Sequence, residues 1–416
     1  MQLSCQSLKH LPVDRYFPSL LIFLMCPLVL IFQRYAVVIL ALSAVWSITY
    51  LRKIWTTLDV HNLLKCQINP TSLFERYLNY GLVLLAISDY FKPYKNQYME
   101  LKICSLLICG FLWWHALQHH DSKTPAKLRN VLFYSITTCC LLILIDYLCG
   151  NLLVTHAEEI GKNRALIFSK MGMTLSLAIW PILYNQPFWK VSAACITLMS
   201  IIMPLLDCDT AIVGLAFSLC AYGIASIEAK LFWRLIQAKI LIICLGLPFV
   251  FNVFLTDANI HEINKTLHSY SYIHRLYIWQ YTSQKIMERP FIGFGYNAAM
   301  QEDVGGTIVT KPFYEQFKNG QGVQANPIEK KQIPTHPHNM ILQWWLESGL
   351  LGALWWASLL VFLIEKIRKL PKSNRKIAFS FFTSNMMILL VSISFWQSWW
   401  WATWLFLLPF LTISKK

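Results

Sequence analysis

An all-α polytopic membrane protein is the fold class this sequence predicts, on three observations. Apolar runs recur from Phe17 to Leu411, each about long enough to cross a hydrocarbon core of ~30 Å as a helix. Charged residues make up 14% of the chain and hydrophobic residues 56%, where soluble domains are roughly a quarter charged. Lysine and arginine gather in alternate loops, the asymmetry that sets the topology of a multi-pass chain.

The runs lie at approximately 17–33, 34–51, 73–91, 101–118, 131–154, 166–184, 189–206, 210–227, 237–256, 339–364, 377–395 and 398–413, which predicts about twelve transmembrane helices. Lys9, Pro12, Asp14 and Arg15 precede the first run with no small-residue cleavage site, so it reads as a retained helix. With the N-terminus cytoplasmic, one side collects Arg52, Lys53, Lys123, Lys127, Arg129, Lys230, Arg234 and the cluster from Lys366 to Lys376. The short loops of the other side hold far fewer cations, so both termini are expected in the cytoplasm. The chain then divides into helices 1–9 over residues 1–256, an outward loop over 257–337, and helices 10–12 over 338–416.

The net charge of +15 belongs mostly to the cytoplasmic collar and reads as topology and contact with anionic membrane lipids. No basic patch interleaved with aromatics points to nucleic acid, so no nucleic-acid partner is expected. Most of the twelve cysteines lie inside apolar runs, and none lies in the outward loop. Neither a disulfide framework nor a paired CxxC zinc array is expected from them.

The outward loop is too polar to insert and too rich in Tyr, Phe, Ile and Trp to be a plain linker. Loops of this length are usually functional. Within it, Tyr272 to Arg289 predicts a helix stopped by Pro290, with Arg275 and Trp279 four residues apart on one face. Phe291-Ile292-Gly293-Phe294-Gly295-Tyr296-Asn297 then forms a tight aromatic turn whose glycines permit positive φ or close backbone approach to a ligand. A lone Gly-x-Gly without Walker or Rossmann context is no nucleotide-binding fingerprint. Gly305-Gly306 and Asn319-Gly320-Gln321-Gly322 read as mobile turns. Arg275 alone is more often a solvated or paired surface residue. As a functional residue it is a diphosphate clamp, because guanidinium is permanently charged and binds bidentately.

His336-Pro337-His338-Asn339 marks the junction of this loop with the next apolar helix, and ionisable groups at such a boundary are functional candidates by default. Pro337 suits a first helical turn. Gln343 and Glu347 follow Asn339 at i+4 and i+8 on one stripe, and Gly349 and Gly352 permit close packing. An isolated histidine here is commonly a satisfied cap or interface residue. His336 and His338 are possible metal ligands, but no third or fourth ligand is evident and HExxH spacing is absent. Neutral imidazole suits a general base for a hydroxyl nucleophile, the reading preferred for His338. Trp344-Trp345, Trp355-Trp356 and Trp396 to Trp404 read mainly as interfacial aromatic belts.

Arg275-Leu276-Tyr277-Ile278-Trp279, followed by Arg289-Pro290-Phe291-Ile292-Gly293-Phe294-Gly295 and by the HxHN…Gln…Glu-x-Gly-x-x-Gly run from His336 to Gly352, resembles the O-antigen ligase family. That family belongs to a superfamily of polyprenyl-diphosphate-dependent ligases, polymerases and protein oligosaccharyltransferases. The resemblance implies twelve helices with one large, partly helical periplasmic loop between the ninth and tenth, in the bacterial inner membrane. It implies transfer of a finished polysaccharide from undecaprenyl diphosphate to a sugar hydroxyl of lipid A–core in lipopolysaccharide assembly, with inversion and with neither metal nor cofactor. By motif position it casts Arg275 as the diphosphate-binding arginine and His338 as the activating histidine. His336, Asn339, Trp279, Gly293 and Gly295 are expected around the substrates. One departure concerns the loop between the seventh and eighth helices, where the family usually carries an outward Ser-Arg pair. Here Asp207-Cys208-Asp209-Thr210-Ala211 places acid instead. Arg164, Lys162 or Lys170 would then supply the missing charge, and Asp209 either caps its helix or meets substrate.

Other functions remain open at this stage. An O-antigen polymerase or a protein O-oligosaccharyltransferase would use the same donor. The absence of an extra outward domain after the last helix ranks the second lower, and the HxHN motif favours the ligase. A transporter would usually show paired charges or helix breaks at mid-membrane in two related halves. Asp89 and Asp146 near helix ends form no such repeat.

Overall fold

The computed structural model describes residues 12–57, 99–119, 124–150, 164–183, 197–267 (except 203, 205 and 207), 270–306 and 332–411. Among these residues the fold is helical, with no strand. Helices α1 (Pro12–Ile31), α2 (Tyr35–Thr57), α3 (Met99–His119), α4 (Thr124–Leu148) and α5 (Arg164–Leu183) form the first half. Then come α6 (Asp209–Ile224), α7 (Lys230–Phe254), α8 (Asp257–Leu267) and α9 (Tyr270–Glu288). The last three are α10 (Met340–Arg368), α11 (Lys372–Val391) and α12 (Ser398–Leu407).

Lys127–Leu148, Lys230–Phe254 and Met340–Arg368 are long and apolar enough to cross a membrane, and Tyr16–Leu30, Tyr35–Leu51, Lys102–Leu117 and Asp209–Ile224 are shorter apolar helices. This is an all-α membrane protein. The expected run at 73–91 lies outside the described residues, and that at 189–206 is described only in part. Each of the others falls on a helix.

One core joins most helices. In it α1 packs on α2, α4 and α5, α12 packs on α2 and α3, and α11 packs on α5, α6 and α10. On α7, Leu231, Ile242 and Val253 stay exposed, as a lipid-facing helix requires. Its inner side meets α10 through a backbone defect. Pro248 lacks the N–H that would bond the Cys244 carbonyl four residues earlier, and Trp345 Nε1 donates to that carbonyl instead, at 2.8 Å.

Two small clusters fix the ends of α7. At its start, Trp233 packs with Ala225, Ile364 and Phe379. At its finish, Leu255, Ile260 and Ile273 pack with Phe251, Leu276 and Trp279, which seats α8 and α9 on the helix end. The sequence reading contained no helix at Asp257–Leu267. With few apolar side chains, α8 holds its place by turning Ile260 and Ile263 into this cluster.

The tryptophans depart from expectation. Trp344, Trp345 and Trp400 are almost wholly buried, and Trp396, Trp399 and Trp356 nearly so. Trp344 stacks on Trp356 at 5.2 Å, and Phe395 meets both rings edge-on. They form an aromatic core between α10 and the α11–α12 junction rather than a belt. A hydropathy reading cannot separate these roles, because both place tryptophan near helix ends.

Candidate active site

The helix expected at Tyr272–Arg289 runs from Tyr270 to Glu288, and Pro290 follows its end. Tyr272, Arg275 and Trp279 fall at i, i+3 and i+7 on one face. Trp279 stacks on Phe251 of α7, with ring centroids 5.3 Å apart, and donates its indole N–H to the Pro337 carbonyl at 3.0 Å. One side chain therefore ties α9 both to α7 and to the histidine segment.

α10 is two helices joined at a break. Gly349 has φ 60° and ψ −157°, a conformation that only glycine adopts readily. The break leaves the carbonyls of Leu346 and Glu347 without the N–H groups of Leu350 and Leu351. The turn after α9 fills that gap. Phe294 N–H donates to Leu346 O at 2.8 Å and Gly295 N–H to Glu347 O at 2.9 Å, while Leu350 N–H goes to Pro290 O at 2.8 Å. The turn thus completes the hydrogen-bond ladder on both sides of the break, as buried backbone demands.

The glycines follow from this docking. Gly293 has φ 68°, and a Cβ there would lie 2.6 Å from the Glu347 carbonyl carbon. Gly293 and Gly295 are buried, and the close approach they permit is to α10 itself, where the sequence suggested a ligand. Asn339 likewise has a structural task. It is the N-cap of α10, its Oδ1 accepting from Ile341 N–H at 3.0 Å and Leu342 N–H at 3.1 Å. Pro337 therefore lies outside the helix, two residues before the cap, instead of in its first turn.

Between cap and loop, His338 takes a left-handed conformation with φ 54°, which is uncommon for a non-glycine residue. The His336 and His338 rings lie 4.1 Å apart, and both face the main-chain carbonyl of Ser392. His338 Nδ1 is 2.5 Å from it and His336 Nε2 3.2 Å, while Thr335 Oγ1 is 2.8 Å from His336 Nδ1. Burial, then the His336 ring, then Arg275 and His274, pull the His338 pKa down to about 3 against a smaller opposing effect of the Ser392 bond. His336 is lowered in the same direction, mainly by burial, with Arg275 adding to it. Arg275 thus acts electrostatically on both imidazoles.

Arg275 is half-buried, and desolvation lowers its pKa while Tyr272, Asp209 and Cys208 raise it. Guanidinium stays charged through such a shift. Asp209 opens α6 but does not cap it, since Cys208 holds the cap position without a side-chain bond. It accepts from the Tyr272 hydroxyl at 2.9 Å, one turn before Arg275. Arg164 begins α5, whereas Lys162 and Asp207 lie outside the described residues.

The structure brings Arg275, Trp279, His336 and His338 together and sets Asp209 beside them through Tyr272. Tyr272 and Ser392 were missed. Tyr272 offered a usable signal, lying one turn before Arg275. Ser392 offered none, because it contributes only a backbone carbonyl and lies inside the apolar run expected at 377–395. Among the described residues no group of three His, Cys, Asp or Glu comes together to hold a metal. The cluster can take a proton at an imidazole and hold an anion at a guanidinium.

Residues 194–357 match the family model described as O-antigen ligase, a stretch that includes Asp209, Arg275, His338 and Glu347. Over this stretch the chain is similar to the O-antigen ligase family. Two proteins that carry the provisional name polysaccharide ligase are similar over most of its length. The one from Rickettsia bellii is 23% identical across 86% of this chain and 85% of its own. The one from Rickettsia felis is 24% identical across 78% and 76%. An O-antigen ligase-type function, that of an enzyme joining glycans, is what these similarities support.

Proposed function

We propose that this protein acts as an O-antigen ligase, transferring a polysaccharide from undecaprenyl diphosphate to a sugar hydroxyl of lipid A–core, without metal and with inversion. The observation that carries the reading is that Arg275 lies close enough to His336 and His338 to act electrostatically on both, on a helix tied to the histidine segment through Trp279. His338 Nε2 accepts the proton of the acceptor hydroxyl as its oxygen bonds to the anomeric carbon. The anomeric C–O bond to the diphosphate breaks, and undecaprenyl diphosphate leaves with the electron pair against Arg275. A diphosphate is already a good leaving group, so the site has mainly to neutralise it and activate the acceptor.

A pKa of about 3 makes the His338 imidazole on its own a poor base. A diphosphate on Arg275 reverses the local sign, favours imidazolium and raises His338 toward the working range. Activation of the acceptor therefore requires bound donor. The family plan of about twelve helices, with both termini cytoplasmic and this site facing the periplasm of the inner membrane, completes the proposal.

Purified protein, an undecaprenyl-diphosphate glycan and lipid A–core test it, with His338→Ala alongside. Product on lipid A–core that disappears in the variant is the expected result. Longer lipid-linked chains in its place assign a polymerase, and product unchanged in His338→Ala removes the base.

A further inference from the structure

The geometry points to the Ser392 main-chain carbonyl as the group that orients His338 and sets its tautomer, with Gln343 and Glu347 as positioning residues that hold this carbonyl in place. The inference rests on the reading of His338 as the base and adds to it what fixes the ring.

A carbonyl oxygen only accepts hydrogen bonds, so each ring nitrogen that faces Ser392 O must carry its hydrogen. His338 is then protonated at Nδ1, which leaves Nε2 as the lone-pair nitrogen. His336 is protonated at Nε2, and its Nδ1 accepts from the Thr335 hydroxyl. One oxygen with two lone pairs serves both rings.

That carbonyl is available because α11 stops at Val391 and the chain stays non-helical until α12 starts at Ser398. Residues 392–397 contain neither glycine nor proline. Non-helical backbone at membrane depth persists only where protein satisfies its polar groups. Here the partners come from α10. Gln343 Oε1 accepts the Phe395 N–H at 3.0 Å, which fixes the orientation of the amide, since a backbone N–H can only donate. Gln343 Nε2 donates to Ser394 Oγ at 3.1 Å and to Glu347 Oε1 at 3.0 Å. Glu347 Oε2 accepts the Trp396 indole N–H at 2.5 Å. Gln343 and Glu347 are buried at 3% and 4% exposure, too deep to meet an acceptor sugar themselves. Their ligands are the turn that carries Ser392.

Selective ¹⁵N-histidine labelling of the wild-type protein, with His338→Ala used to assign the signal, reads the tautomer directly. Nδ1-protonated His338 is expected, and an Nε2-protonated ring overturns the proposal with no variant needed. In Glu347→Gln and Gln343→Leu the expected signal is a mixture of tautomers. Turnover should fall about a hundred-fold, the low end of what a general base contributes. The acid limb of the kcat profile should move to lower pH, because the imidazolium loses its acceptor. A lower plateau with an unmoved limb and an unchanged tautomer indicates a merely structural role and overturns the assignment. If the tautomer behaves as expected while His338→Ala remains active, orientation by Ser392 stands and the base reading falls.

Discussion

Gly349→Ala adds one methyl group at the break in α10, and its cost can be worked from the backbone alone. At φ 60° and ψ −157° an alanine sits in a region open essentially to glycine, a penalty of about 1–3 kcal/mol. The new Cβ would also lie 2.4 Å from the Phe291 carbonyl carbon and 2.5 Å from Ile292 N. Both are main-chain atoms in a docked turn, so no side-chain rotation relieves the overlap, and overpacking of this kind costs about 1–3 kcal/mol more. The expected loss is therefore about 2–6 kcal/mol, enough to undock the turn before the helix bundle fails. Gly246→Ala in α7 is the control, because a Cβ there meets nothing within 4 Å. That change should stabilise the helix by about 0.5–1 kcal/mol. Thermal unfolding of both variants in detergent, followed by tryptophan fluorescence and by loss of the monodisperse peak, separates them. Gly349→Ala melting with the wild type would refute the swapped hydrogen-bond ladder. Gly293→Ala should lose less than additively when combined with it, since both strike the same contact.

Trp279→Phe keeps the stack on Phe251 but removes the N–H bonded to Pro337 O, so stability should fall by only about 1 kcal/mol while turnover falls at least ten-fold. Melting and initial rates on the same sample decide it. Arg275→Lys keeps the charge without the fork, and its turnover should drop more than its donor binding, measured by rates and by donor retention. Because the folded pKa of His338 lies below that of a free histidine, the unfolded chain takes up a proton below pH ~6.5 that the folded chain refuses. Stability should therefore decline as pH falls from ~6.5 toward 4, at up to about 1.4 kcal/mol per unit for this ring. His338→Gln should flatten that slope, and an equally steep slope in the variant would count against the buried neutral ring. Asp209→Asn keeps an acceptor for Tyr272 yet removes a carboxylate near Arg275, so donor KM should fall a few-fold. A rise would mean that the carboxylate itself meets substrate.

The polar residues of the candidate site were legible because their types are rare in a membrane chain. An arginine one turn from a tryptophan, a histidine pair and a buried glutamate all stood out from an apolar background. Gly293, Gly295 and Gly349 were legible as special but not in purpose, because a glycine records that backbone approaches without recording which backbone. Asn339 carried the opposite ambiguity, since its type suits a cap and a ligand alike, and two N–H groups of α10 decide for the cap. The early end of α11 was hidden for a different reason. Side chains on α10, more than forty residues earlier, bond the turn that follows it, while the local sequence reads as apolar as far as residue 395. Long-range hydrogen bonds leave no mark on a local apolar pattern.

Electrostatics gives the site its logic as an unfinished arrangement. Two imidazoles share one carbonyl, and a guanidinium acts on both, so every group that can be cationic makes its neighbours harder to protonate. Among the described residues the carboxylate that bears on Arg275 is Asp209, at the exposed end of α6 and bound to Tyr272. A diphosphate placed at Arg275 turns mutual repulsion into attraction, and by the same field it gives His338 the proton affinity that an acceptor hydroxyl requires. Acceptor activation is then conditional on donor occupancy. An acceptor hydroxyl, or a water molecule, that reaches His338 first meets a ring unable to take its proton. On the proposed function, this ordering would protect a glycosyl diphosphate less by excluding water than by withholding the base until the donor is seated, and the Trp279 bond to Pro337 would keep Arg275 and His338 in one frame.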